Sequence, residues 1–481
     1  MRRGVVVLCM LLCAGCGRQE VKRDVVAHAG DRVIDAKELS RSYTLHPEWK
    51  RGETAAGSYL TQLHALLAQK IYAQEAERLG LDRDSLMQGY LGFLMHKEMI
   101  KGLYRRQVTD KVRVSEAEQR RIYEWSKKKV DFEYLFTRDS AQCVASAKEL
   151  AARGLDGLPI RSDSSLLTGR REGVTVGSIA PEIEEALFTS GLNDVRGPIR
   201  VRDGFMALRV TGGVQEKFLS GNELTLQRQK LDKILRERKA DSLGSLYVYG
   251  MMKDKDLRMK GPVFWRVAEY FERRVKEAHI DPMKMQSVNV TTDEIRGLEV
   301  DLKFMGDAVV ATHREGTLTV RGLLTELAMM PGSLRPRVRT PQNLKDAIAF
   351  IVRNQYLLQE AEREALDRDP DVMEEYGLQR DETLAAAYYD RRRVEVAVTP
   401  EEVEAFRKHS PVSEEQVFFK FNMTALARNA KADSILSAEL PALIARYGAS
   451  VDTSRVRSMT PSPDAPLHED PIRVYVREIF M

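Results

Sequence analysis

The amino-acid sequence predicts a mainly helical α+β protein built from several domains. Apolar residues recur at every third or fourth position over Leu60–Ile71 and again over Leu344–Val352, which indicates amphipathic helices. Apolar and polar residues alternate around Phe132–Phe136, which indicates a strand. A chain of 481 residues is also too long for one hydrophobic core. We therefore expect helical modules together with smaller α/β parts.

The N-terminus has the features of a bacterial lipoprotein leader. Arg2 and Arg3 form a positive segment, and Val5–Leu12 form an apolar stretch too short to span a bilayer. The stretch ends in Cys13-Ala14-Gly15-Cys16, which resembles a lipobox. The sequence therefore predicts a signal peptide at 1–16, lipidation at Cys16 and a polar tether at 17–24. An ordinary signal peptide with a chance cysteine is the alternative.

The charge and cysteine content narrow the classes of protein to consider. Lys plus Arg number 75 and Asp plus Glu number 71, so the chain lacks the basic excess of a nucleic-acid binder. Only Cys143 lies beyond the lipobox, which leaves no partner for an intramolecular disulfide in the mature chain. A single cysteine in a predicted helix usually fills a core, and a reactive thiol is the alternative.

An internal repeat divides the chain into two related parts. The repeated blocks are Gln74-Glu75-Ala76-Glu77-Arg78 with Leu81-Asp82-Arg83-Asp84, and Gln359-Glu360-Ala361-Glu362-Arg363 with Leu366-Asp367-Arg368-Asp369. Each copy opens with a Val-Val-Ala segment that predicts an extended arm or hairpin. Each copy ends in a predicted capping box, Ser115 with Glu118 and Thr399 with Glu402. The repeat predicts helical modules at 25–130 and 301–411.

The order of these segments resembles the N-terminal chaperone domain of SurA-type and PrsA-type foldases. The resemblance is carried by the Val-Val-Ala opening, the Glu-Ala-Glu-Arg block and the Val-x-Val-Ser/Thr exits that start at Val112 and Val396. It implies two SurA-N-like helical modules that cradle unfolded client polypeptides. It also implies that a parvulin domain directly follows the first of them.

The segment 131–213 resembles a parvulin-type (PpiC-type) prolyl isomerase domain. The aromatic-rich segment Phe132–Phe136 corresponds to its first strand, and Ala141–Arg153 to an Ala-rich helix. The later motifs are a Pro-Glu helix at Pro181–Phe188, a Gly197-Pro198 turn and a last strand at Asp203–Val210. The resemblance implies an α/β domain with a site for a prolyl peptide bond.

The positions that carry the chemistry in parvulins are replaced in this chain. None of its eight histidines falls within 131–213. The two family histidines correspond to Tyr134 and Met206, and the acidic or thiol residue corresponds to Ser164. Tyr and Ser hydroxyls can still form hydrogen bonds, whereas a Met thioether donates none. The prolyl pocket would include Ile183, where the family has Phe, and Phe188, for which a place in the core is the favoured alternative. The resemblance therefore implies a degenerate site.

Two further regions complete the predicted domain order. Residues 214–300 are expected to form connecting helices, which include the aromatic, amphipathic segment Val263–Phe271. Residues 412–481 contain a strand pattern at Gln416–Phe421, a helix and a closing strand at Ile472–Val476. This region is too short for a whole isomerase domain, so we expect a truncated second parvulin-like α/β tail.

These features favour an extracytoplasmic chaperone or foldase that binds unfolded exported polypeptides. Lipid at Cys16 would hold it at the cell envelope, and Gly17 rather than Asp favours the outer membrane where there is one. A parvulin with an unusual active site is the second hypothesis, and an envelope scaffold that binds a folded partner is the third. No metal-ligand cluster, phosphate loop or nucleophile elbow occurs in the sequence, so we expect neither metal nor cofactor.

Overall fold

The computed structural model describes residues 24–45, 55–157, 166–215, 221–277, 289–409 and 422–459. Helices dominate, and the strands form small antiparallel sheets, so the predicted mainly helical α+β class is confirmed. Two units divide the chain, and each is discontinuous in sequence. The first unit takes residues up to Glu98, Leu327–Leu334 and residues from Asp367 onward, and the second takes Met99–Glu326 and Arg335–Leu366.

The first copy of the repeat begins with a hairpin and continues in long helices. Its elements are β1 (Val25–Ala29), β2 (Arg32–Asp35), α1 (Ala36–Leu45), α2 (Ala55–Arg78), a 3₁₀ turn (Leu81–Arg83), α3 (Ser85–Gln107) and α4 (Glu116–Ser126). Asp84 starts α3, because its Oδ1 accepts the N–H groups of Leu86 and Met87 at 3.0 and 3.2 Å. Ser115 and Glu118 form the predicted capping box of α4.

A four-stranded antiparallel sheet with two helices follows α4. Its elements are β3 (Lys128–Thr137), α5 (Ser140–Arg153), β4 (Leu166–Val174), α6 (Pro181–Phe188), β5 (Val195–Val201) and β6 (Gly204–Gln215). The strand order is β4-β3-β6-β5, so the first and last strands are adjacent in the centre. The predicted turn at Gly197-Pro198 is wrong, because both residues lie inside β5. The strand pairing is interrupted there, between Arg196 and Ile199, which accommodates a residue without an N–H.

Helices and one short strand come after the sheet. They are α7 (Gly221–Met252), β7 (Arg258–Met259), α8 (Gly261–Glu277) and α9 (Thr292–Asp301). α7 packs along α4, where Lys239 Nζ donates to Glu118 Oε2 at 2.8 Å and to the Arg113 carbonyl at 2.6 Å. The capping box of α4 therefore also anchors α7.

The second copy has the same order of elements as the first. They are β8 (Val309–His313), β9 (Gly316–Thr319), α10 (Val320–Met329), α11 (Pro341–Arg363), a 3₁₀ turn (Leu366–Arg368), α12 (Pro370–Glu395) and α13 (Pro400–His409). Asp369 caps α12 as Asp84 caps α3. Thr399 and Glu402 form the second predicted capping box. The sequence repeat is therefore a structural repeat as well.

The last described segment repeats the elements that follow the sheet in the first copy. It forms α14 (Met423–Arg446), β10 (Ser450–Val451) and α15 (Thr453–Ser458). Lys431 of α14 donates to Glu402 of the capping box and to the Ala397 carbonyl, as Lys239 of α7 does in the first copy. β10 pairs with β1 and β7 pairs with β8, both antiparallel. α14 and β10 are thus the counterparts of α7 and β7.

The predicted parvulin-like tail at 412–481 depends on Gln416–Phe421 and Ile472–Val476, which lie outside the described residues, so it stays a prediction. The helix between these two segments has a different counterpart, since α14 matches α7 in its contacts. Backbone bonds agree with this match. The Gly30 N–H donates to the Tyr447 carbonyl at 2.9 Å in the first unit. The equivalent Arg314 N–H donates to the Lys255 carbonyl at 2.8 Å in the second.

The two copies exchange parts, so that each unit contains segments of both. In the first unit, α2 of the first copy packs against α12 and α14 of the second copy, and β1 pairs with β10. In the second unit, β8 of the second copy pairs with β7 of the first. Gln107, the last residue of α3, donates to Glu364, which follows α11, at 2.6 Å.

A buried group of charges joins α2 to α12 in the first unit. Lys70 Nζ lies 2.9 Å from Glu38 Oε1 and 3.4 Å from Asp381 Oδ2. Arg32 Nε lies 3.4 Å from Asp381 Oδ1, and Arg32 Nη2 lies 2.7 Å from Glu77 Oε1. The side chains of Lys70 and Asp381 are only 7% and 9% exposed, so each charge depends on its partners. Burial raises the pKa of Glu38, against the opposing effect of Lys70.

Removal of the Asp381 charge is expected to destabilise the first unit strongly. Asp381→Asn leaves Lys70 and Arg32 buried without this carboxylate, which should cost about 3–5 kcal/mol. Glu374→Gln is the control, since its ion pair with the exposed Lys37 contributes at most about 1 kcal/mol. Urea unfolding followed by circular dichroism measures both. Equal destabilisation by the two substitutions would contradict the importance of the buried group.

A second carboxylate, that of Glu75 in α2, holds the end of α14. Its oxygens accept hydrogen bonds from Arg78 at 2.6 Å, from Arg446 at 3.0 Å and from Tyr447 Oη at 2.9 Å. The bond from Arg78 is the main reason that the pKa of Glu75 falls from 4.5 to about 2, against the effect of burial. Tyr447 and Arg446 lower the pKa further.

The lowered pKa of Glu75 predicts acid sensitivity of the folded chain. Because the folded-state pKa lies below the unfolded one, the unfolded chain binds more protons between pH 4.5 and about pH 2. The stability contributed by Glu75 is therefore present above this window and lost as the pH falls through it. Glu75→Gln should reduce the pH dependence of the unfolding free energy there, as measured by urea titrations. The exposed Glu116→Gln serves as control, and parallel curves for all three proteins would refute the assignment.

Candidate functional site

The four-stranded sheet has two covered faces of different character. On one face, α5 packs Cys143, Ala147 and Leu150 against Leu135 and Ala207. Cys143 is fully buried, and burial raises the pKa of its thiol, so this residue fills the core. The other face is covered by α6 and contains three of the predicted site residues, Tyr134, Ile183 and Met206. We call it the α6 face.

Strand register places Tyr134 and Met206 together on the α6 face. Tyr134 in β3 lies opposite Leu208 in β6, and Met206 comes two residues before Leu208 on the same strand. Side chains two residues apart in a strand point to the same side of the sheet. Leu208 and Tyr134 belong to the apolar cluster that also contains Ile183 of α6, so three of the predicted residues converge. Ser164, the fourth, lies outside the described residues.

Phe188 does not contribute to an open surface. Its side chain is 2% exposed, and its ring stacks on Trp125 with centroids 5.9 Å apart. The last turn of α6 is therefore held in the core by an aromatic pair, which agrees with the interpretation of Phe188 as a core residue. Ile183 is half-buried beside Tyr134, and its contact with a peptide stays a prediction.

The Tyr134 ring lies over the backbone of Gly169 in β4, its other cross-strand partner. A Cβ atom added at Gly169 would lie 2.7 Å from the Tyr134 hydroxyl and 2.8 Å from the adjoining ring carbon. Only glycine leaves room for the ring in this position. The tyrosine hydroxyl is thus the polar group that β3 offers at this predicted site position.

A buried carboxylate fixes α6, and sequence reasoning missed it. Glu184 is fully buried, and its Oε1 accepts the Gly177 N–H at 2.5 Å. Its Oε2 lies 2.8 Å from Arg238 Nη1 of α7. The pair positions the loop before α6, and with it Ile183, relative to the sheet. Glu184 lies on the same helical stripe as Leu187 and Phe188, and a carboxylate among such apolar residues was the available signal.

The first unit carries an apolar groove that the sequence did not reveal. It has a volume of about 380 Å³ and is lined by Leu81, Leu86, Met87, Tyr90 and Ala387, with Asp84 at its edge. We call it the Leu86 groove, because the Leu86 side chain is 83% exposed in it. Asp84 caps the first turn of α3 and therefore holds Leu86 and Met87 in place. Apolar residues directly after a capping Asp were the signal.

Neither a metal site nor a membrane-spanning helix was expected. Within the described ranges, no group of three or more His, Cys, Asp or Glu side chains is placed to hold a metal ion. None of the described helices combines the length and the apolar character needed to cross a membrane. Cys16, the predicted lipidation site, lies outside the described residues.

Comparison with known proteins gives distant structural matches. No protein-family model and no curated protein matches the chain. A SurA-like chaperone of Campylobacter jejuni is 15% identical, with a TM-score of 0.16, and the match covers 46% of this chain and 97% of that one. The peptidylprolyl isomerase PrsA of Bacillus anthracis is 14% identical, with a TM-score of 0.20, and the match covers 38% and 94%. TM-scores this low indicate only a distant likeness.

Gly169→Ala is expected to displace the Tyr134 ring, because the added Cβ and the phenol cannot both fit. Such overpacking should cost about 1–3 kcal/mol and leave the sheet intact. NMR of ring-labelled tyrosine would show a shifted Tyr134 resonance. Leu167→Ala, on the same strand with its side chain 58% exposed, is the control and should leave the resonance in place. An unchanged resonance in Gly169→Ala would show that the ring does not lie over β4.

Proposed function

We propose that the protein is an extracytoplasmic chaperone of the SurA/PrsA kind that binds unfolded or partly folded exported polypeptides and has weak or no prolyl isomerase activity. A lipid at Cys16 holds it at the cell envelope, on the outer membrane where there is one. The protein contacts the membrane through this lipid anchor. The clients are recognised by exposed apolar side chains.

The Leu86 groove is the observation that supports client binding. Leu86 is 83% exposed in this groove of about 380 Å³, so covering it with an apolar side chain of a client is favourable. Leu, Met and Tyr side chains make a lining that adapts to different apolar groups, as a binder of many clients requires. Asp84 adds one carboxylate at the edge, so the lining remains predominantly apolar.

The residues of the α6 face are the reason to propose weak or no isomerase activity. The barrier to rotation about a peptide bond is ~18–20 kcal/mol, and an enzyme lowers it by binding the twisted amide more tightly than the planar one. Met206 donates no hydrogen bond to such an amide, and the Tyr134 phenol lies against Gly169. The tyrosine hydroxyl is the feature that favours the alternative function, an isomerase with a non-standard site.

The first experiment mixes the chain from Arg23 onward with an unfolded, proline-containing polypeptide and follows both by exchange NMR. We expect the polypeptide resonances to broaden on binding, while cis–trans interconversion stays at its uncatalysed rate. Leu86→Ser should weaken binding about tenfold, the usual effect of losing one central apolar contact. Val394→Ser is the matched control, since Val394 is 79% exposed on α12 and does not line the groove.

Each outcome of this experiment has a distinct meaning. Equal binding by the parent and Leu86→Ser would remove the groove from the proposal, and no binding at all would overturn the chaperone function in favour of a scaffold. Faster interconversion at catalytic amounts of protein would establish the isomerase. In that case Tyr134→Phe should abolish the acceleration and leave client affinity unchanged, because Phe keeps the ring and removes the hydroxyl.

A further inference from the structure

α3 and α12 occupy the same position in the two copies of the repeat, so either helix could in principle pack along α2. α3 and α12 both follow a Leu-Asp-Arg 3₁₀ turn, and both start at a capping aspartate, Asp84 and Asp369. α3 is separated from α2 by a short turn, so it is the nearer of the two along the chain. The helix that packs along α2 is nevertheless α12, from the second copy.

The buried charges distinguish the two helices. Asp381 of α12 lies between Lys70 and Arg32. Counted from the capping aspartates, the residue of α3 at the same place is His96. A histidine there would present no carboxylate to the lysine and the arginine. α3 therefore lacks the group that the α2 surface requires.

The second copy lacks the complementary charges as well. The residues that correspond to Lys70 and Arg32 in the second copy are Gln355 and Gly316, and Gly322 takes the place of Glu38. If α12 packed on α11 of its own copy, Asp381 would be placed opposite an amide and a glycine. A buried charge without a partner is strongly unfavourable, so packing of α12 on α11 is penalised. Packing of α3 on α2 would leave Lys70 and Arg32 with only the first-copy carboxylates Glu38 and Glu77.

We propose that Arg32, Glu38, Lys70 and Asp381 form a pairing code, which selects α12 of the second copy as the partner of α2 and so specifies the exchange of segments. This property is separate from client binding, because none of the four residues lines the Leu86 groove. The partner that the α2 surface fits is a helix with an aspartate at the Asp381 position. Such a helix occurs once in each chain.

The test replaces Lys70 and Asp381 of the code, each by its counterpart in the other copy, Gln355 and His96. The variant Lys70→Gln with Asp381→His removes one positive and one negative charge in a chain without Cys143. Spin labels on the exposed positions Ala65 of α2 and Glu382 of α12 report the distance between the helices by electron–electron double resonance. The parent should give one distance. In part of the variant molecules, a second and longer distance between the labels should appear. The measurement is made at concentrations where the variant is a monomer.

The control separates pairing specificity from stability. Arg392→Gln with Glu439→Gln also removes one ion pair of the first unit, but both partners belong to the second copy and move together. This variant should keep the single distance of the parent. If Lys70→Gln with Asp381→His does not fold, Lys70→Gln alone provides the comparison. A folded code variant with only the parent distance would overturn the proposal.

Discussion

The ion pair between Lys70 and Asp381 is the interaction on which the rest of the structure depends. It joins residues 311 positions apart, and it connects a helix of the first copy with a helix of the second. Once α12 is held on α2, the Glu75 carboxylate can hold the end of α14, and β10 can complete the sheet of β1 and β2.

The sheet domain occupies a defined place in this scheme. α4 and α7 pack together in the first copy through Lys239, and α13 and α14 do so in the second through Lys431. The sheet is inserted within the first of these pairs, and its helix α6 is bonded to α7 through Glu184 and Arg238. The helical scaffold is therefore complete without the sheet.

Much of the local structure was predictable, whereas the long-range pairing was not. Capping boxes, strands and the repeat are encoded in short stretches of sequence, so the capping boxes at Ser115 and Thr399 and the strands that contain Tyr134 and Met206 were correctly inferred. The burial of Phe188 depends on Trp125, and the Leu86 groove on Ala387 from the second copy, which no local pattern reveals. Because the repeated blocks are nearly the same in the two copies, they also do not indicate whether α2 packs on the helix of its own copy or on that of the other copy.

The pairing of β10 with β1 has a consequence for how the protein matures. A polypeptide that is made and exported from its N-terminus presents β1 and α2 long before α12, α14 and β10 are available. Until then, the apolar cluster around Leu63 and Ile71 of α2 lacks Leu443 and Val456, its members from the end of the chain. During its own biogenesis the protein thus passes through the kind of state that its proposed clients occupy, and closing such distant contacts is inherently slow. Under the proposed function, the protein would itself need the protection that a chaperone gives.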